Sequence, residues 1–554
     1  MKTYCFRFFF PVLAIVGLLF STYSCKDDLN PSPTNAYDNA TFWTNQTNAM
    51  IALTGVYRGN IPTTQANDMN DFWSYSGLAL MDLATDNGYD RRGNNSGSSA
   101  ILDLTNGLML PTNTVIAALW KGSYIRINLA NNFLDNIDAV PDTTQKKRMK
   151  AEARFLRATT YYYLSQHFGG VPLVTKVITA DEANTVKKET KEAVEAFVTT
   201  ELTEAANSLP RTKDIKASES GRASRQAALA FLGRLQLAQK KYAEAIKTYQ
   251  KIIDYGDNVI AADYKTLFNP VNIGSSENIF TINYIGGQFS NFLPQHTYPS
   301  IAGGWSFVCP LESLASSYDF TDGTPFSYAS PLFNPLNMAQ NRDPRFAATL
   351  TWPNSIFSGK KTVFSPDSAK SVDQLTNGAK QATRTGYGLR KYFDESFAGS
   401  LLTGYGGGYP VIRYAEVLLS YLEAQLEAGN PITQDLLNKT INKIRSRASV
   451  NMPPITETNA DRLRPILRKE RRIELAFEGI RWWDIKRWGI GGQALVGDFW
   501  GASFPGSKTT LNKPAGYIAD PFSRWWVCKK AFRAGQDEVW PIPQSEQNIN
   551  PNLR

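Results

Sequence analysis

The block Gly221–Tyr255 has the residue spacing of two helices that lie in close contact. Gly233 and Ala245 have side chains small enough for two antiparallel helix backbones to approach, and Leu232 and Tyr249 are large enough to fill the seam between them. One such pair cannot bury its own hydrophobic face, so other helix pairs have to stack on it. The block therefore predicts a scaffold of stacked helices.

The rest of the chain supplies the helices that such a stack requires. Hydrophobic residues at spacings of three and four predict helices over Thr41–Tyr57, Thr114–Ile137, Gln145–Phe168, Thr190–Leu209, Tyr414–Ala428, Gln434–Ala448 and Arg462–Trp488. We expect the second and third of these to pair, and likewise the fifth and sixth. Leu-Gly followed by Ala-x3-Tyr in the first block matches the core of the tetratricopeptide pattern, with Tyr in place of Phe. The predicted fold is therefore mainly α, a tetratricopeptide-like helical repeat scaffold over about 41–255 and 410–488.

Residues 260–410 differ from the helical blocks in composition and pattern. They contain Gly287, Gly303 and Gly304, many prolines, and aromatic residues without a helical period. We expect loops, short helices and small sheets here, built over the scaffold, and further loops over 490–554. Long irregular segments of a folded protein are usually functional, so the loop-rich portion is the predicted ligand-binding portion.

The first residues have the pattern of an export signal. Lys2 and Arg7 precede an apolar run, Phe8–Phe20, that is too short for a comfortable membrane span. The run ends before Cys25, and the small residue in front of this cysteine resembles the lipoprotein box of bacteria, although Thr22 replaces the usual Leu. We expect a signal peptide over 1–24, lipidation at Cys25, a tether over 25–40 and one domain over 41–554. A plain secretory signal with an incidental cysteine is the alternative.

The composition argues against several functional classes. The formal net charge of +9 is spread along the chain, with no basic block of the kind that nucleic-acid grooves use. The four cysteines form no CxxC pair, the two histidines have no metal-ligand spacing, and no phosphate loop or nucleophile elbow is present. We expect no cofactor and no nucleic-acid partner, and we assign no residue as a metal ligand; whether a metal ion is bound is left open. Whether Cys309 and Cys528 pair is left open.

A dense block of charge invites a catalytic interpretation. Glu470, Glu474 and Glu478 repeat every four residues and so share one helix face, and Arg471, Arg472 and Arg481 are near enough in sequence to pair with them. We favour a structural ion-pair network inside the scaffold, because no motif points to a catalytic pair.

Several segments together resemble one protein family. They are Glu152–Ala158 with Tyr161–Leu164 and Phe168–Leu173, Gly221–Ser224, Arg413–Leu419 with Glu423 and Ala424, Arg468–Gly479 with Arg481–Trp488, and Val539–Pro543 with Asn550–Leu553. In this order, and with the lipoprotein start, they are similar to the SusD/RagB outer-membrane proteins. Lys26, Asp27 and Asp28 after the cysteine also resemble the surface-export signal of Bacteroidetes lipoproteins.

The resemblance implies a binding protein and not an enzyme. It implies lipid anchoring at the outer face of the outer membrane and a SusC-like TonB-dependent barrel beneath, over which the protein acts as a lid. The usual ligands of the family are oligosaccharides, or peptides in some members.

Two loop regions have the residues that sugar binding needs, namely flat aromatic rings for the C–H faces of a sugar and polar groups for its hydroxyls. The first spans Asp71–Arg91 and the second Tyr298–Phe307. In SusD-like proteins, ligand contacts come broadly from loops in these parts of the chain. The candidate contacts are Trp73, Tyr75, Asn87, Arg91, Tyr298 and Trp305, with Trp73 and Trp305 foremost and with Trp352 and Tyr284 as weaker candidates. Local packing is the alternative for each tryptophan.

The sequence thus predicts a cell-surface, lipid-anchored protein that captures oligosaccharide for a barrel transporter. A binder of peptide or another nutrient, and a scaffold subunit without a ligand site, are the alternatives, and an enzyme ranks last. Exposed aromatic rings would favour a glycan, and their absence would favour the scaffold.

Overall fold

The computed structural model describes residues 42–60, 70–94, 99–141, 143–269, 274–367, 371–375, 381–392, 394–507 and 520–554. The predicted signal peptide, Cys25 and the tether lie outside these residues. Within them, no helix combines the length and the apolar character that a membrane crossing requires.

Nine helices carry the scaffold within the described part of the chain. They are α1 (Gln46–Arg58), α2 (Thr114–Asn136), α3 (Thr144–Phe168), α4 (Lys191–Ser208), α5 (Arg225–Ala238), α6 (Tyr242–Tyr255), α7 (Tyr414–Glu427), α8 (Ala460–Glu474) and α9 (Arg481–Arg487). From α2 to α8 each helix contacts the next, and α1 lies against α2 and α3. This serial stack confirms the mainly α fold and the pairing of the second and third predicted helices. The assignment to tetratricopeptide repeats stays a prediction.

Helix limits follow local signals in the sequence. The side chains of Thr143, Thr190 and Ser224 accept hydrogen bonds from backbone N–H groups at the starts of α3, α4 and α5. Helix α3 ends at Gly169, whose φ of 72° suits glycine better than other residues. The observed bounds of α3 and α4 therefore lie within one residue of the predicted bounds. For α5 no separate bounds were predicted.

The hairpin of α5 and α6 has the close contact that its sequence predicts. A Cβ atom built on Gly233 would lie 2.5 Å from the ring of Tyr249, which is 1% exposed. The tyrosine ring thus occupies the space that a side chain at position 233 would need.

Two predicted helices are interrupted in the structure. The segment predicted as Gln434–Ala448 forms two short helices, Gln434–Lys439 and Ile441–Arg445, which meet at Thr440 with a φ of −120° and a ψ of −98°. The segment predicted as Arg462–Trp488 forms α8 and α9, with Phe477 at a φ of 60° between them. At this break the N–H of Phe477 donates to Asp82, so a contact from a distant segment replaces the helical hydrogen bond.

Short strands and helices make up much of the remainder. The strands are β1 (Gly88–Asp90), β2 (Asn278–Ile282), β3 (Val308–Pro310), β4 (Leu350–Thr351), β5 (Ile356–Phe357), β6 (Lys360–Lys361), β7 (Gly388–Leu389), β8 (Tyr409–Arg413), β9 (Gly497–Ser503) and β10 (Arg524–Lys530). They form antiparallel pairs β1–β3, β2–β8, β4–β7, β5–β6 and β9–β10. Other short helices are Tyr75–Ala79, Ala180–Ala183, Leu293–Thr297, Glu312–Ala315, Pro344–Thr349, Gly491–Ala494 and Gln544–Ile549.

Among the described residues after 490, two strands take the place of part of the loops that we expected. They are β9 and β10, and Phe499, Trp525 and Val527 from these strands join a small hydrophobic cluster with Tyr89 and Cys309. This cluster is distinct from the main core, which the helices share.

The charged block of α8 forms a buried ion-pair network, as predicted. Its carboxylates are Glu277, Asp343, Glu470, Glu474 and Glu478, and its cations are Arg345, Lys391, Arg413, Arg445 and Arg447. The N···O distances lie between 2.5 and 3.1 Å, which makes the network part of the scaffold.

The prediction that Arg471, Arg472 and Arg481 pair with these carboxylates was wrong. Arg471 pairs with Asp484 at 2.7 Å, and Arg472 and Arg481 pair with Asp86 at 3.1 and 2.8 Å. Arg471 is within helical reach of Glu474, but Asp484 and Asp86 from other segments pair with Arg471 and Arg472 instead. Arg345, Arg413 and Arg447, from other parts of the chain, lie beside Glu474.

Candidate functional site

The structure brings the two predicted loop regions together. Strand β1 of the first region pairs with β3 at the end of the second, with Tyr89 opposite Cys309. The N–H of Arg91 continues this pairing with a 3.0 Å hydrogen bond to the carbonyl of Phe307. Residues that are more than 200 positions apart therefore lie side by side in the fold.

A line of aromatic side chains runs across the junction. The ring of Tyr75 lies 5.9 Å from Tyr284 and 5.8 Å from His296, measured between ring centroids. His296 in turn stacks on Trp305 at 5.7 Å and on Phe307 at 5.3 Å. The Tyr284 hydroxyl accepts a 2.9 Å hydrogen bond from the N–H of Tyr75, which fixes the first pair.

His296 is the polar member of this line. It is fully buried, and neither of its ring nitrogens has a hydrogen-bond partner among the described residues. Burial, together with the nearby charge of Arg92, lowers the pKa of His296 to about 3. The imidazole is therefore neutral near pH 7 and acts as a flat support behind the Trp305 indole.

Trp305 is the one of the six main candidates that is not fully buried. It is half-buried, and the rings of His296 and Phe307 pack against it at centroid distances of 5.7 and 5.3 Å. The guanidinium carbons of Arg92 and Arg91 lie 4.8 and 5.2 Å from the Phe307 ring centroid, so two cationic groups contact the ring that supports Trp305. The arrangement offers a flat, partly accessible ring on a fixed aromatic support.

Trp73 and Tyr75 lie in the protein interior. Trp73 is 2% exposed, and its ring centroid is 5.1 Å from Phe280 and 5.5 Å from Phe231. Tyr75 is 4% exposed. Their burial favours the packing interpretation for both side chains, and the aromatic cluster around Trp73 supports the site from below.

Asn87 and Tyr298 hold loops in place. Asn87 is fully buried, donates to Asp82 at 3.1 Å and accepts from Arg472 at 2.7 Å. The Tyr298 hydroxyl donates to the carbonyl of Asp394 at 2.9 Å, and the side chain is also fully buried. Arg91, at 6% exposed, lies against Phe307.

Of the weaker candidates, Trp352 is 8% exposed and packs on Phe346, whereas Tyr284 is half-buried.

A cavity of about 390 Å³ adjoins the aromatic line. Trp73 and Phe280 form part of its apolar wall, and Tyr284 also lines it. Arg58 and Phe289 stand at its edge, where Phe289 is 41% exposed and the Arg58 guanidinium lies 5.4 Å from its ring centroid.

Neither Arg58 nor Phe289 stands in a sequence pattern that marks it as part of a site. Arg58 is the last residue of α1, and nothing in the local sequence links it to a loop more than 200 residues away.

The described residues contain no group of three or more histidine, cysteine, aspartate or glutamate side chains arranged to hold a metal ion. Cys309 and Cys528 are free thiols, and both belong to or pack against the small hydrophobic cluster. Burial raises the pKa of both thiols, that of Cys528 to about 11, so both are protonated near pH 7.

Comparison with known proteins gives consistent matches along the chain. The model of the SusD family matches residues 268–554, and a second family model, described as starch-binding and associating with the outer membrane, matches residues 38–237. A SusD-like protein of Formosa agariphila, P2, is 26% identical over 567 residues, which cover 100% of this chain and 99% of that protein.

Solved structures agree with these matches. A SusD-like carbohydrate-binding protein from Bacteroides fragilis is 46% identical and superposes with a TM-score of 0.89, over 93% of this chain and 100% of the other. A laminarin-binding SusD-like protein is 22% identical with a TM-score of 0.64, over 92% of this chain and 98% of the other, and shows the fold alone.

Proposed function

Because this chain belongs to the SusD family, whose model matches more than half of it, we propose that it captures an oligosaccharide at Trp305 and passes it to a SusC-like TonB-dependent transporter. Members of this family are glycan-binding proteins, and the SusD-like protein from Bacteroides fragilis is described as carbohydrate binding. The ligand, the delivery step and the position of the site are parts of the proposal.

The observation that carries the proposal is the half-buried Trp305 indole, whose ring is partly accessible. His296 and Phe307 pack against this ring, so little conformational entropy is lost when a ligand stacks on its accessible part. The guanidinium groups of Arg91 and Arg92 contact the Phe307 ring, and we propose that they donate hydrogen bonds to sugar hydroxyls or to an acidic sugar.

The neighbouring cavity supports a second class of ligand. Its wall is largely apolar, with Trp73, Phe280 and Leu156 on it. An apolar pocket of about 390 Å³ suits a side chain of a bound peptide better than it suits a hydroxyl-rich sugar ring. A peptide is therefore the alternative ligand for the same surface.

The proposal places the protein on the cell surface through a lipid at Cys25. The sequence before and after this cysteine supports lipidation, and the description of the second family as associating with the outer membrane supports the location. We also propose that the protein is not an enzyme. In support, the densest group of carboxylates, around Glu474, is buried and paired with arginines.

The test is affinity electrophoresis of the full chain, purified in detergent, against starch, laminarin, xylan, mannan and pectin. We expect at least one polysaccharide to retard the protein, and Trp305→Ala to weaken this binding about tenfold, because an aromatic contact and its buried area are lost. Trp488→Ala removes another half-buried tryptophan, outside the site, and serves as the matched control. Absence of retardation by every polysaccharide would contradict the proposal and favour a peptide ligand or a scaffold role.

A further inference from the structure

The outer face of the β9–β10 sheet carries a second group of accessible aromatic rings. Trp500 on β9 lies directly opposite Trp526 on β10 in the antiparallel register, and both are half-buried. Directly opposed residues of an antiparallel pair point to the same face of the sheet. Phe499 and Trp525, which precede them on each strand, point inward to the small hydrophobic cluster. The sheet therefore has one buried aromatic face and one accessible aromatic face.

Polar contacts hold each of the two outer indoles. Nε1 of Trp526 donates to Oδ1 of Asp498 at 3.1 Å. The guanidinium carbon of Arg524 lies 5.2 Å from the Trp500 ring centroid, within the range of a cation–π contact. Asp520 holds Arg524 in turn, with an Nη2–Oδ1 distance of 2.7 Å. Both rings are thus fixed before any ligand arrives.

The aromatic surface continues beyond the two tryptophans. Phe522 is 40% exposed and stacks on Tyr328, with ring centroids 5.3 Å apart and an angle of 22° between the rings. The Arg524 guanidinium carbon also lies 5.9 Å from the Phe522 centroid, so this residue links the two parts of the surface.

The chemistry of this surface suits a sugar chain. Aromatic faces accept the C–H faces of pyranose rings, and the carboxylates and guanidinium at their edges are groups that hydrogen-bond sugar hydroxyls. Tryptophan, phenylalanine and arginine also occur at protein interfaces, but aspartate is depleted at their centres, so the carboxylates of Asp498 and Asp520 favour a sugar over a protein partner. An anionic lipid surface fits less well too, because the carboxylates of Asp498 and Asp520 would repel it.

The surface is linked to the site at Trp305 through the small hydrophobic cluster. Trp525 of β10 shares this cluster with Tyr89 of β1. Two residues after Tyr89, Arg91 lies against Phe307, which contacts Trp305. The two surfaces are therefore carried by elements that pack on each other.

We infer that the outer face of β9–β10, centred on Trp500 and Trp526, is a second binding subsite for a polysaccharide chain, separate from the site at Trp305. The inference rests on the proposed function, that the protein binds glycans, and extends it to polymers long enough to engage more than one surface. Two such contacts on one chain raise the apparent affinity for a polymer above that for a short oligomer.

The experiment compares Trp526→Ala and Trp305→Ala in the full chain purified in detergent, on the same five polysaccharides and on tetrasaccharides of each. We expect Trp526→Ala to bind the polysaccharide about tenfold more weakly than wild type, through the loss of one aromatic contact. Trp526→Phe keeps a ring at this position and should recover most of the affinity, while Trp488→Ala should bind as wild type does. Circular dichroism checks that each variant is folded.

The outcomes separate this inference from the proposed function. Weaker polysaccharide binding by both Trp526→Ala and Trp305→Ala, with recovery in Trp526→Phe, supports the second subsite. If Trp305→Ala alone loses binding and Trp526→Ala binds as wild type does, the second subsite is refuted while the proposed function stands. If wild type binds no polysaccharide, both fail. If Trp526→Ala keeps glycan binding but loses association with a membrane protein or with anionic vesicles, the surface serves another partner and the inference is overturned.

Discussion

The backbone N–H of Phe477 donates a 2.6 Å hydrogen bond to Oδ2 of Asp82, which joins the end of α8 to the segment just before β1. The carbonyl of Phe477 accepts from the hydroxyls of Tyr392 and Tyr409 at 2.9 and 2.8 Å. These three bonds stabilise a backbone conformation with a φ of 60°, which is uncommon for a residue other than glycine. The scaffold thereby fixes the segment that leads to Arg91 and the Trp305 site.

Asp82 should make the stability of the protein depend on pH. Burial raises the pKa of Asp82 to about 7, although hydrogen bonds from Asn87 and Phe477 and the charge of Arg481 act in the opposite direction. In an unfolded chain the pKa of an aspartate is about 3.9. The pKa of Asp82 is higher in the folded than in the unfolded protein. Its contribution to the free energy of unfolding is therefore complete below about pH 4 and is lost as the pH rises through about 7.

We therefore expect Asp82→Asn to flatten the fall in melting temperature over this pH range. The amide oxygen can still accept from Phe477 and Asn87, and the amide group carries no charge to bury. Thermal unfolding followed by circular dichroism at several pH values measures the effect. Asp461→Asn, at a position whose side chain is 91% exposed, should leave the profile unchanged. Parallel profiles for wild type and Asp82→Asn would show that Asp82 does not titrate in this range.

The buried network around Glu474 should be essential for stability. Glu474 lies 3.0 Å from Arg345, 3.1 Å from Arg413 and 3.0 Å from Arg447, and all four side chains are fully buried. Burial alone would raise the pKa of Glu474, but these guanidinium groups lower it well below the usual value. Glu474→Ala leaves three buried cations short of a partner, so we expect a loss of about 3–5 kcal/mol in the free energy of unfolding.

Urea denaturation measures this loss, and an exposed ion pair provides the control. Asp435 and Lys439 are 2.7 Å apart with side chains that are 71% and 73% exposed. Asp435→Ala should cost only about 0–1 kcal/mol, because water already solvates both charges. Equal effects of the two substitutions would mean that the network around Glu474 contributes no more than a surface pair.

Local signals in the sequence explain which helices could be predicted. Thr143 and Thr190 cap α3 and α4 and stand directly before them in the sequence. The bounds of these two helices could therefore be predicted closely. The break at Phe477 has no such local signal. Asp82, which accepts the hydrogen bond from Phe477 at the break, lies almost 400 positions earlier, and no spacing rule connects the two residues.

The candidate site shows the same limit. Trp73 and Trp305 both stand in loop regions rich in aromatic and polar residues, and only the tertiary contacts distinguish them. Phe231 and Phe280 pack on Trp73, which is 2% exposed, whereas Trp305 is half-buried beside His296 and Phe307. Trp526 was missed because apolar residues stand on both faces of β10, so the run Trp525–Cys528 shows no alternation of apolar and polar residues although burial alternates along it.

Trp73 should therefore act through stability and Trp305 through binding. Trp73→Ala removes a ring that is 2% exposed from the main core, and we expect a loss of about 3–5 kcal/mol in the free energy of unfolding. Trp305→Ala acts on a half-buried ring and should cost about 1 kcal/mol. Urea denaturation of both variants measures the difference. A Trp73→Ala variant with wild-type stability and lost glycan binding would instead make Trp73 a ligand contact.

Gly233 tests whether the close approach of α5 and α6 is required. A Cβ atom at this position would lie 2.5 Å from the ring of Tyr249, so Gly233→Ala forces the two helices apart or displaces the ring. We expect a loss of about 1–3 kcal/mol in the free energy of unfolding, which exceeds the gain in helix propensity from alanine. Gly55 in α1 has no atom within 4 Å of the corresponding position, so Gly55→Ala should instead gain about 0.5–1 kcal/mol. Urea denaturation gives both values. If both substitutions stabilise the protein, the hairpin tolerates a wider separation than the Tyr249 contact implies, and the small residue at 233 has no packing role.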